Sequence, residues 1–589
     1  MVSAAITIAP APSTIALTNS PPTTALTGEV WDPAVQPEVL VADGAGQPAP
    51  GILVTASIVS GGGTLEGDVT KTTDATGHAQ FGDLGISGTG SQTVRFAIEA
   101  DAVTAAPVDV TALPAEATTG KWGPVVDWDI VPLHLSLLPN GLLLGWGRTE
   151  TDGTMGMPRL WDPASGSPSA APTVQVDTML FCSGHAFMSD GRLLISGGHK
   201  ADGKGLDITT IFNPATGNFI QNLPKMAHGR WYPTVTELPD GRMLTMAGQD
   251  SAGNVVTTPE IWENGEWVEL PGAGAVSIPY YPRNFIDPTN GRVFMAGERV
   301  QSRTFNVDAQ TAGGRGQWIS GPSHIWPYNR EYGSAAMYET GKILVVGGGG
   351  DPTWKTPDAR SSTPTATAEK IDLTGARTWQ SAGSMAEPRR HLNATILPDG
   401  QVLVTGGTSG GGFVDLNPGD ATRAAEVWNP ATNDWTILAA ASKVRTYHSV
   451  SLLLADGTVL HGASGNANVG TVAMPDENSH EIFRPPYLYR GARPTITGAP
   501  GNVNVGQTFT VTTPNAAQVT EVRWIHIGSA THAFDFGQRA NTLSFIRTAT
   551  GVSVTAPASS DEATPGHYML FVLNRNGVPS RGRVILLNP

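Results

Sequence analysis

From Trp122 onward the chain repeats one pattern of hydrophobic and polar positions. A short apolar run meets a tight polar turn ending in glycine, and a second apolar run leads into a Gly-Gly-like pair. The first copies are Leu138-Pro139-Asn140-Gly141-Leu142-Leu143-Leu144, Ser189-Asp190-Gly191-Arg192-Leu193-Leu194-Ile195 and Pro239-Asp240-Gly241-Arg242-Met243-Leu244. Thr289-Asn290-Gly291-Arg292-Val293-Phe294, Glu339-Thr340-Gly341-Lys342-Ile343-Leu344, Pro398-Asp399-Gly400-Gln401-Val402-Leu403 and Ala455-Asp456-Gly457-Thr458-Val459-Leu460 follow. Asp-Gly or Asn-Gly between apolar runs predicts a β-hairpin, because both turn residues take positive φ. The turn glycines at 141, 191, 241, 291, 341, 400 and 457 are spaced by 50, 50, 50, 50, 59 and 57 residues.

A period near fifty with short strands in each unit predicts a kelch-type β-propeller, and seven copies predict seven blades. Leu160-Trp161-Asp162-Pro163, Ile211-Phe212-Asn213-Pro214 and Val427-Trp428-Asn429-Pro430 repeat a second phrase, whose aromatics are expected to pack between blades. The period holds over residues 118–488. Before it, residues 14–117 carry short alternating runs such as Glu38-Val39-Leu40-Val41 and Val94-Arg95-Phe96-Ala97-Ile98, which predict a β-sandwich. Residues 1–13 read as a flexible lead-in. After it, residues 489–589 lose the period; Phe509-Thr510-Val511-Thr512 and Tyr568-Met569-Leu570-Phe571-Val572-Leu573 predict a second sandwich. The expected fold class is all-β, a seven-bladed kelch-type β-propeller flanked by N-terminal and C-terminal Ig-like β-sandwich domains.

Composition narrows the function classes. At 589 residues the chain is too long for one core. Seventy Gly, 45 Pro and 15% charged residues suit a turn-rich β protein. The net charge of −15 argues against nucleic acid or an anionic membrane surface as partner. No run of eighteen apolar residues is present to span a bilayer. Met1-Val2-Ser3-Ala4-Ala5 lacks the basic and apolar regions of a secretory signal. The low-lysine, Thr/Gly/Pro-rich composition still favours export, so the expectation is a secreted, extracellular or periplasmic protein whose signal has been removed.

The candidate chemistry lies in one register. In a propeller the first strand of each blade lines the central channel. Nine residues before each turn glycine stand Pro132, Cys182, Tyr232, Pro282, Tyr332, His391 and His448, with Tyr447 one residue before the last. Cys182 is the only cysteine, so it forms no internal disulfide. A thiol, phenols and imidazoles in one register fit either a polar channel mouth or a metal site. Imidazole and phenolate oxygen suit copper or iron better than magnesium or calcium.

Longer motifs carry a resemblance. Cys182, Arg230-Trp231-Tyr232-Pro233-Thr234, Arg445-Thr446-Tyr447-His448-Ser449 and Thr531-His532-Ala533-Phe534-Asp535 with Gln538-Arg539 resemble the copper radical oxidases, which include galactose oxidase and glyoxal oxidase. Trp122-Gly123-Pro124-Val125-Val126 and Pro565-Gly566-His567-Tyr568 extend the likeness over residues 118–589. The resemblance implies one copper ion held by Tyr232, Tyr447, His448 and His532. It implies a Cys182–Tyr232 thioether as a protein-derived radical cofactor, with Tyr447 as axial ligand and base. The expected substrates are small aldehydes, as hydrates, or primary alcohols, with dioxygen as acceptor and hydrogen peroxide as product. Arg-Trp-Tyr-Pro-Thr is more similar to the glyoxal oxidase branch. His526 competes with His532 as the C-terminal ligand but lacks the motif around it.

One departure from the family pattern stands out. Galactose oxidase stacks an aromatic over its crosslinked tyrosine, and eighteen residues after Tyr232 this chain has Asp250. Trp326, Tyr328 or Tyr280 could replace that ring. Arg330, Tyr332, His391 and His185 are expected in the substrate pocket or polar channel lining. Gly46-Gln47-Pro48-Ala49-Pro50-Gly51 and Thr73-Asp74-Ala75-Thr76-Gly77 resemble bacterial Ig-like modules, which implies a spacer or attachment role with carbohydrate or a surface as contact. The alternative to an enzyme is a non-catalytic propeller that binds glycan or protein.

Overall fold

A computed structural model describes residues 11–148, 156–165, 167–349, 363–410, 419–465 and 476–589. The chain is built from strands, and no helix among the described residues is long and apolar enough to cross a membrane. The predicted lead-in, residues 1–13, falls mostly outside the described residues, and the first strand is Pro12–Asn19.

The N-terminal unit is a three-stranded and a six-stranded sheet over a core that includes Trp31, Val39, Val54, Phe81 and Phe96. Its strands alternate buried and exposed positions, as at Val108–Thr111, which is what covering one face of a sheet requires.

Next comes a series of antiparallel sheets, each in chain order from an innermost strand outward. The innermost strands are His134–Leu137, Gly184–Phe187, Thr234–Glu237, Asn284–Ile286, Ser334–Glu339, Asn393–Ile396 and Val450–Leu453. All of their residues are buried apart from Glu339. The second strands are continuous apolar runs such as Leu193–Ser196 and Val402–Thr405, buried on both faces because a sheet lies on either side. Each hairpin turns on its predicted glycine, with φ of 85° at Gly141 and Gly191 and 82° at Gly241. Lys121–Trp122 and Val126–Asp127 pair with Ser479–Arg484, so the start of this region supplies the outer edge of its last sheet. The first innermost strand packs beside the last, His134–Leu137 against Val450–Leu453.

The C-terminal unit is a five-stranded and a three-stranded sheet around Val511, Trp524, Val552, Leu570 and Ile585. One hairpin leaves it. Ser529–Thr531 pairs with Phe534–Asp535 and also with His134–Leu137, so C-terminal chain enters the centre of the preceding sheets. The N-terminal unit docks on this C-terminal unit through Arg575 to the Asp83 carbonyl, Asn576 to the Gly28 carbonyl and Gln518 to the Trp31 carbonyl.

Candidate metal centre

The register that places residues nine before each turn glycine also fixes their backbone. Cys182, Tyr232, Tyr332, His391 and His448 all have positive φ, at 60°, 68°, 50°, 59° and 70°. Residues with a Cβ seldom adopt that region, at a cost of roughly 1–2 kcal/mol each, and such strain concentrates at functional sites. The hairpin carrying His532 has a two-residue loop, His532-Ala533, with φ of 47° and 71°. Such a loop normally takes Asn-Gly. Here the imidazole is held at the tip, with the Ala533 carbonyl fixed by the Ser334 hydroxyl at 2.6 Å.

Tyr232, Tyr447, His448 and His532 converge. The Tyr232 and Tyr447 hydroxyls are 2.5 Å apart, and His532 Nε2 lies 3.0 Å from the Tyr232 hydroxyl. The His448 and His532 rings meet edge to face at 4.6 Å, and Tyr447 stacks on His448 at 3.8 Å. All four side chains are buried. Their second-sphere bonds fix the tautomers. His448 Nδ1 faces the Gly465 carbonyl at 2.7 Å, and a carbonyl only accepts, so Nδ1 carries the proton. The Thr531 hydroxyl donates to the Leu133 carbonyl at 2.8 Å, so His532 Nδ1, 2.6 Å away, donates to the Thr531 oxygen. In both rings the Nε2 lone pair is left facing the cluster. His448 Nε2 has no hydrogen-bond partner among the described residues.

Burial holds both imidazoles neutral, His448 down to about 3 and His532 well below its usual range. Burial also raises the Tyr232 and Tyr447 phenols, so both are protonated until a cation takes their place. Two neutral imidazole Nε2 atoms, that of His532 accepting from the Tyr232 hydroxyl and that of His448 orphaned, form an N2O2 donor set with the two phenol oxygens, and the orphaned His448 Nε2 is the atom such a set leaves for a metal. The residues fit a copper ion. His526 is not part of the set: its Nδ1 faces the Ile527 carbonyl at 2.9 Å and its ring packs on Tyr568.

Cys182 is fully buried beside Tyr232. The Tyr232 amide donates to the Cys182 carbonyl at 2.9 Å, which sets the two residues side by side. Tyr232 itself is sandwiched. The Trp231 indole stacks on it at 3.8 Å and 6°, and Tyr281 covers it at 4.7 Å and 27°. The stacking aromatic therefore comes from the preceding residue. Asp250 does not face Tyr232: it caps its own turn, accepting from Ala252 N at 2.8 Å and Asn254 N at 2.9 Å. Of the proposed substitutes, Tyr280 meets Tyr232 and Trp231 edge-on at 5.7 Å, while Trp326 and Tyr328 pack against each other.

The pocket expectations divide. Tyr332 and His391 flank Tyr447, with ring separations of 5.7 Å and 5.0 Å. Arg330 is structural instead. Its guanidinium is buried against Glu369 at 2.6 Å and donates to the Gly347 and Thr367 carbonyls. The same unit recurs as Arg230 with Glu260, Arg389 with Glu426 and Arg445 with Glu481. Each arginine ties the strand entry to the end of the second strand of its own sheet, through the Ala247, Gly347, Gly406 and Ala463 carbonyls. His185 likewise sits within the sheets, bonded to His134 and Ser529. Sequence reasoning missed Trp231, Tyr281 and Phe181, whose ring lies 5.6 Å from His448 and 6.3 Å from His532.

Comparison with known proteins identifies the family. The family model described as glyoxal oxidase N-terminus matches residues 165–487, and the galactose oxidase-like early set domain matches residues 493–587. The first match covers more than half of the chain, and the chain belongs to the glyoxal oxidase family. Galactose oxidase of Gibberella zeae is 29% identical over 498 residues, covering 78% of this chain and 69% of that protein. The aldehyde oxidase GLOX of Vitis pseudoreticulata is 27% identical over 450 residues, covering 71% of this chain and 83% of that protein. A fungal alcohol oxidase of the AA5 family, solved in complex with copper, shares the fold with a TM-score of 0.69 at 24% identity, over 80% of this chain and all of that one.

Proposed function

We propose that the protein is a copper radical oxidase acting outside the cell, which oxidises small aldehydes as their hydrates, or primary alcohols, with dioxygen. The observation that carries the reading is the convergence of Tyr232, Tyr447, His448 and His532 with both Nε2 lone pairs turned inward. We read residues 118–488 as a seven-bladed propeller, closed by the pairing of Lys121–Trp122 with Ser479–Arg484. Residues 489–589 form the sandwich that lends it His532, and residues 14–117 form an Ig-like spacer.

Bound copper would be held by His448 Nε2, His532 Nε2 and the Tyr232 and Tyr447 oxygens, and would supply one oxidising equivalent and acidify a hydroxyl placed beside it. The remaining chemistry belongs to the chain. Removing two electrons from a carbinol needs a second one-electron store, and Tyr232 joined to Cys182 Sγ is easier to oxidise than a plain phenol. Forming that thioether breaks the S–H bond and a ring C–H bond ortho to the hydroxyl; two protons and two electrons pass to dioxygen, giving hydrogen peroxide. Tyr447 takes the substrate hydroxyl proton on its phenolate oxygen. Trp231 and Tyr281 exclude water from both faces of Tyr232. The overall reactions are RCH2OH + O2 → RCHO + H2O2 and RCH(OH)2 + O2 → RCOOH + H2O2.

The test is peroxide release by copper-loaded protein on glyoxal, methylglyoxal, glycolaldehyde, galactose and benzyl alcohol. Glyoxal and methylglyoxal are expected to lead. Peroxide from none of them, with copper bound at one equivalent, would favour a propeller that binds glycan or protein without turning it over.

A further inference from the structure

At the site end of the sheets several residues in or beside the register are linked through their backbones. The Tyr232 amide donates to the Cys182 carbonyl, the Tyr281 amide to the Tyr232 carbonyl and the His391 amide to the Tyr332 carbonyl, at 2.8–3.0 Å. Two register amides go to side chains instead. Tyr332 N donates to Glu298 Oε1 at 3.3 Å, and Cys182 N donates to His134 Nε2 at 3.1 Å. His134 thus accepts the backbone bond of the one residue whose sulfur must be aimed at Tyr232.

That bond fixes a chain of tautomers. A peptide N–H only donates, so His134 Nε2 is the acceptor and the ring proton sits on Nδ1. Nδ1–H therefore donates to His185 Nε2 at 2.9 Å. His185 then carries its proton on Nδ1 and donates to the Ser529 hydroxyl at 2.5 Å. Ser529 exchanges a bond with Ser136 at 2.8 Å, and its amide donates to Asp535 Oδ1 at 2.8 Å. Every member is buried, and His134 is clamped flat on Trp146 at 4.9 Å and 5°. Ser529 and Asp535 are the two ends of the hairpin that carries His532. One line of hydrogen bonds thus joins the C-terminal hairpin to the backbone of Cys182.

We propose that His134 is a positioning residue for the Cys182–Tyr232 crosslink: through a His134–His185–Ser529 relay it holds Cys182 in the left-handed conformation, φ 60°, that presents the sulfur to the Tyr232 ring. The inference rests on the copper radical oxidase reading and adds a residue to it. Without the acceptor, the Cys182 amide is buried with no partner, and relaxing toward negative φ swings the sulfur away.

The experiment is the time course of crosslinking in full-length, copper-free protein after adding copper(II) and air. It is read as the mobility shift on denaturing electrophoresis that follows when residues 182 and 232 are joined. His134→Leu is expected to crosslink roughly tenfold more slowly, the kinetic equivalent of one lost buried hydrogen bond. His134→Gln, whose Oε1 can reach the position of Nε2, is expected to recover most of the rate. Thermal unfolding and copper stoichiometry on the same samples separate slow crosslinking from loss of fold or metal. His134→Leu crosslinking at the wild-type rate, or His134→Gln as slow as His134→Leu, would overturn the proposal. Should His134→Leu not fold, His185→Leu against His185→Gln gives the same comparison one bond further along, and equal rates for that pair overturn it too. Wild-type protein that never crosslinks would sink the copper radical reading itself, a distinct outcome.

Discussion

Two buried polar layers lie within a few residues of each other, and they are built on opposite rules. In the arginine layer every charge has its counterpart: Arg230 with Glu260, Arg330 with Glu369, Arg389 with Glu426, Arg445 with Glu481. The glutamates also accept backbone amides, as Glu260 does from Ala227 and His228. In the layer of Tyr232, Tyr447, His448 and His532, each imidazole is anchored through Nδ1, and the two phenol hydroxyls meet within the cluster. The first layer is closed in charge, each guanidinium meeting a carboxylate even though its Nε has no partner among the described residues, because its task is to fix the strand entries. The second is neutral and left open toward its own centre, with His448 Nε2 unfilled, because its task is to hold something. Burial alone does not separate structure from function in this molecule; what separates them is whether charge is paired off within the layer or a lone pair is left for an incoming cation.

The largest expected effect comes from emptying the open layer. Tyr232→Phe removes a donor oxygen, and copper-loaded protein should lose peroxide production by about a thousandfold or more while the copper-free fold is retained. Turnover within about tenfold of wild type would mean that Tyr232 is not the redox phenol. Breaking the closed layer should do the reverse. Arg230→Met leaves Glu260 buried and unpaired, which costs about 3–5 kcal/mol in denaturant unfolding of the copper-free protein. His448→Leu, in contrast, replaces an imidazole with an orphaned nitrogen and should shift that stability by about 1 kcal/mol or less while abolishing copper binding.

pH sharpens the contrast. His185 and His461 are held down to about 3 and His480 to about 4, all below the unfolded value, because burial disfavours the cation. Their stabilisation is complete above about 6.5 and is lost as pH falls toward 3. Glu237 and Glu298 are pushed up to about 7, so they act oppositely, and their stabilisation is complete below about 4.5. The two effects oppose each other between pH 6.5 and 4.5; below that the histidine loss continues, joined by that of Glu369, which is held down to about 2. Copper-free protein should therefore show a shallow change in Tm from pH 6.5 to 4.5 and a steep fall from 4.5 to 3. A Tm that is flat down to pH 3 would contradict the assignment of buried neutral histidines.

Trp231→Leu removes the ring stacked on Tyr232 at 3.8 Å. An indole face stabilises an electron-poor phenol ring by roughly 1 kcal/mol, about 40 mV for a one-electron couple. The oxidation potential of the crosslinked tyrosine should rise by that amount in a redox titration. A potential that does not move would show that the indole serves packing only.

Much of this was legible in the chain. The turn glycines fixed the hairpins, and counting back from them led to Cys182, Tyr232 and His448, because residues in one register of a repeat occupy equivalent places. Three things were harder to read. Arg330 looked like a pocket residue, although Arg230, Arg330 and Arg389 each stand two residues before a register position, a recurrence that marks structure. The family pattern points to a stacking ring eighteen residues after Tyr232, whereas the ring is that of Trp231, the residue directly before it. With Tyr232 at positive φ the neighbouring side chains fold face to face, and nothing in residue type foretells that angle. His134 lies two residues after a register position, and its role depends on a bond to the Cys182 amide visible only in three dimensions.

The most direct measurement of the central claim is the mass and mobility of the denatured chain before and after copper(II) and air. The account predicts faster migration and the loss of two hydrogens in wild-type protein, and neither change in Cys182→Ser or Tyr232→Phe. The same shift in Cys182→Ser, or no shift in wild-type protein that has bound copper, would contradict it.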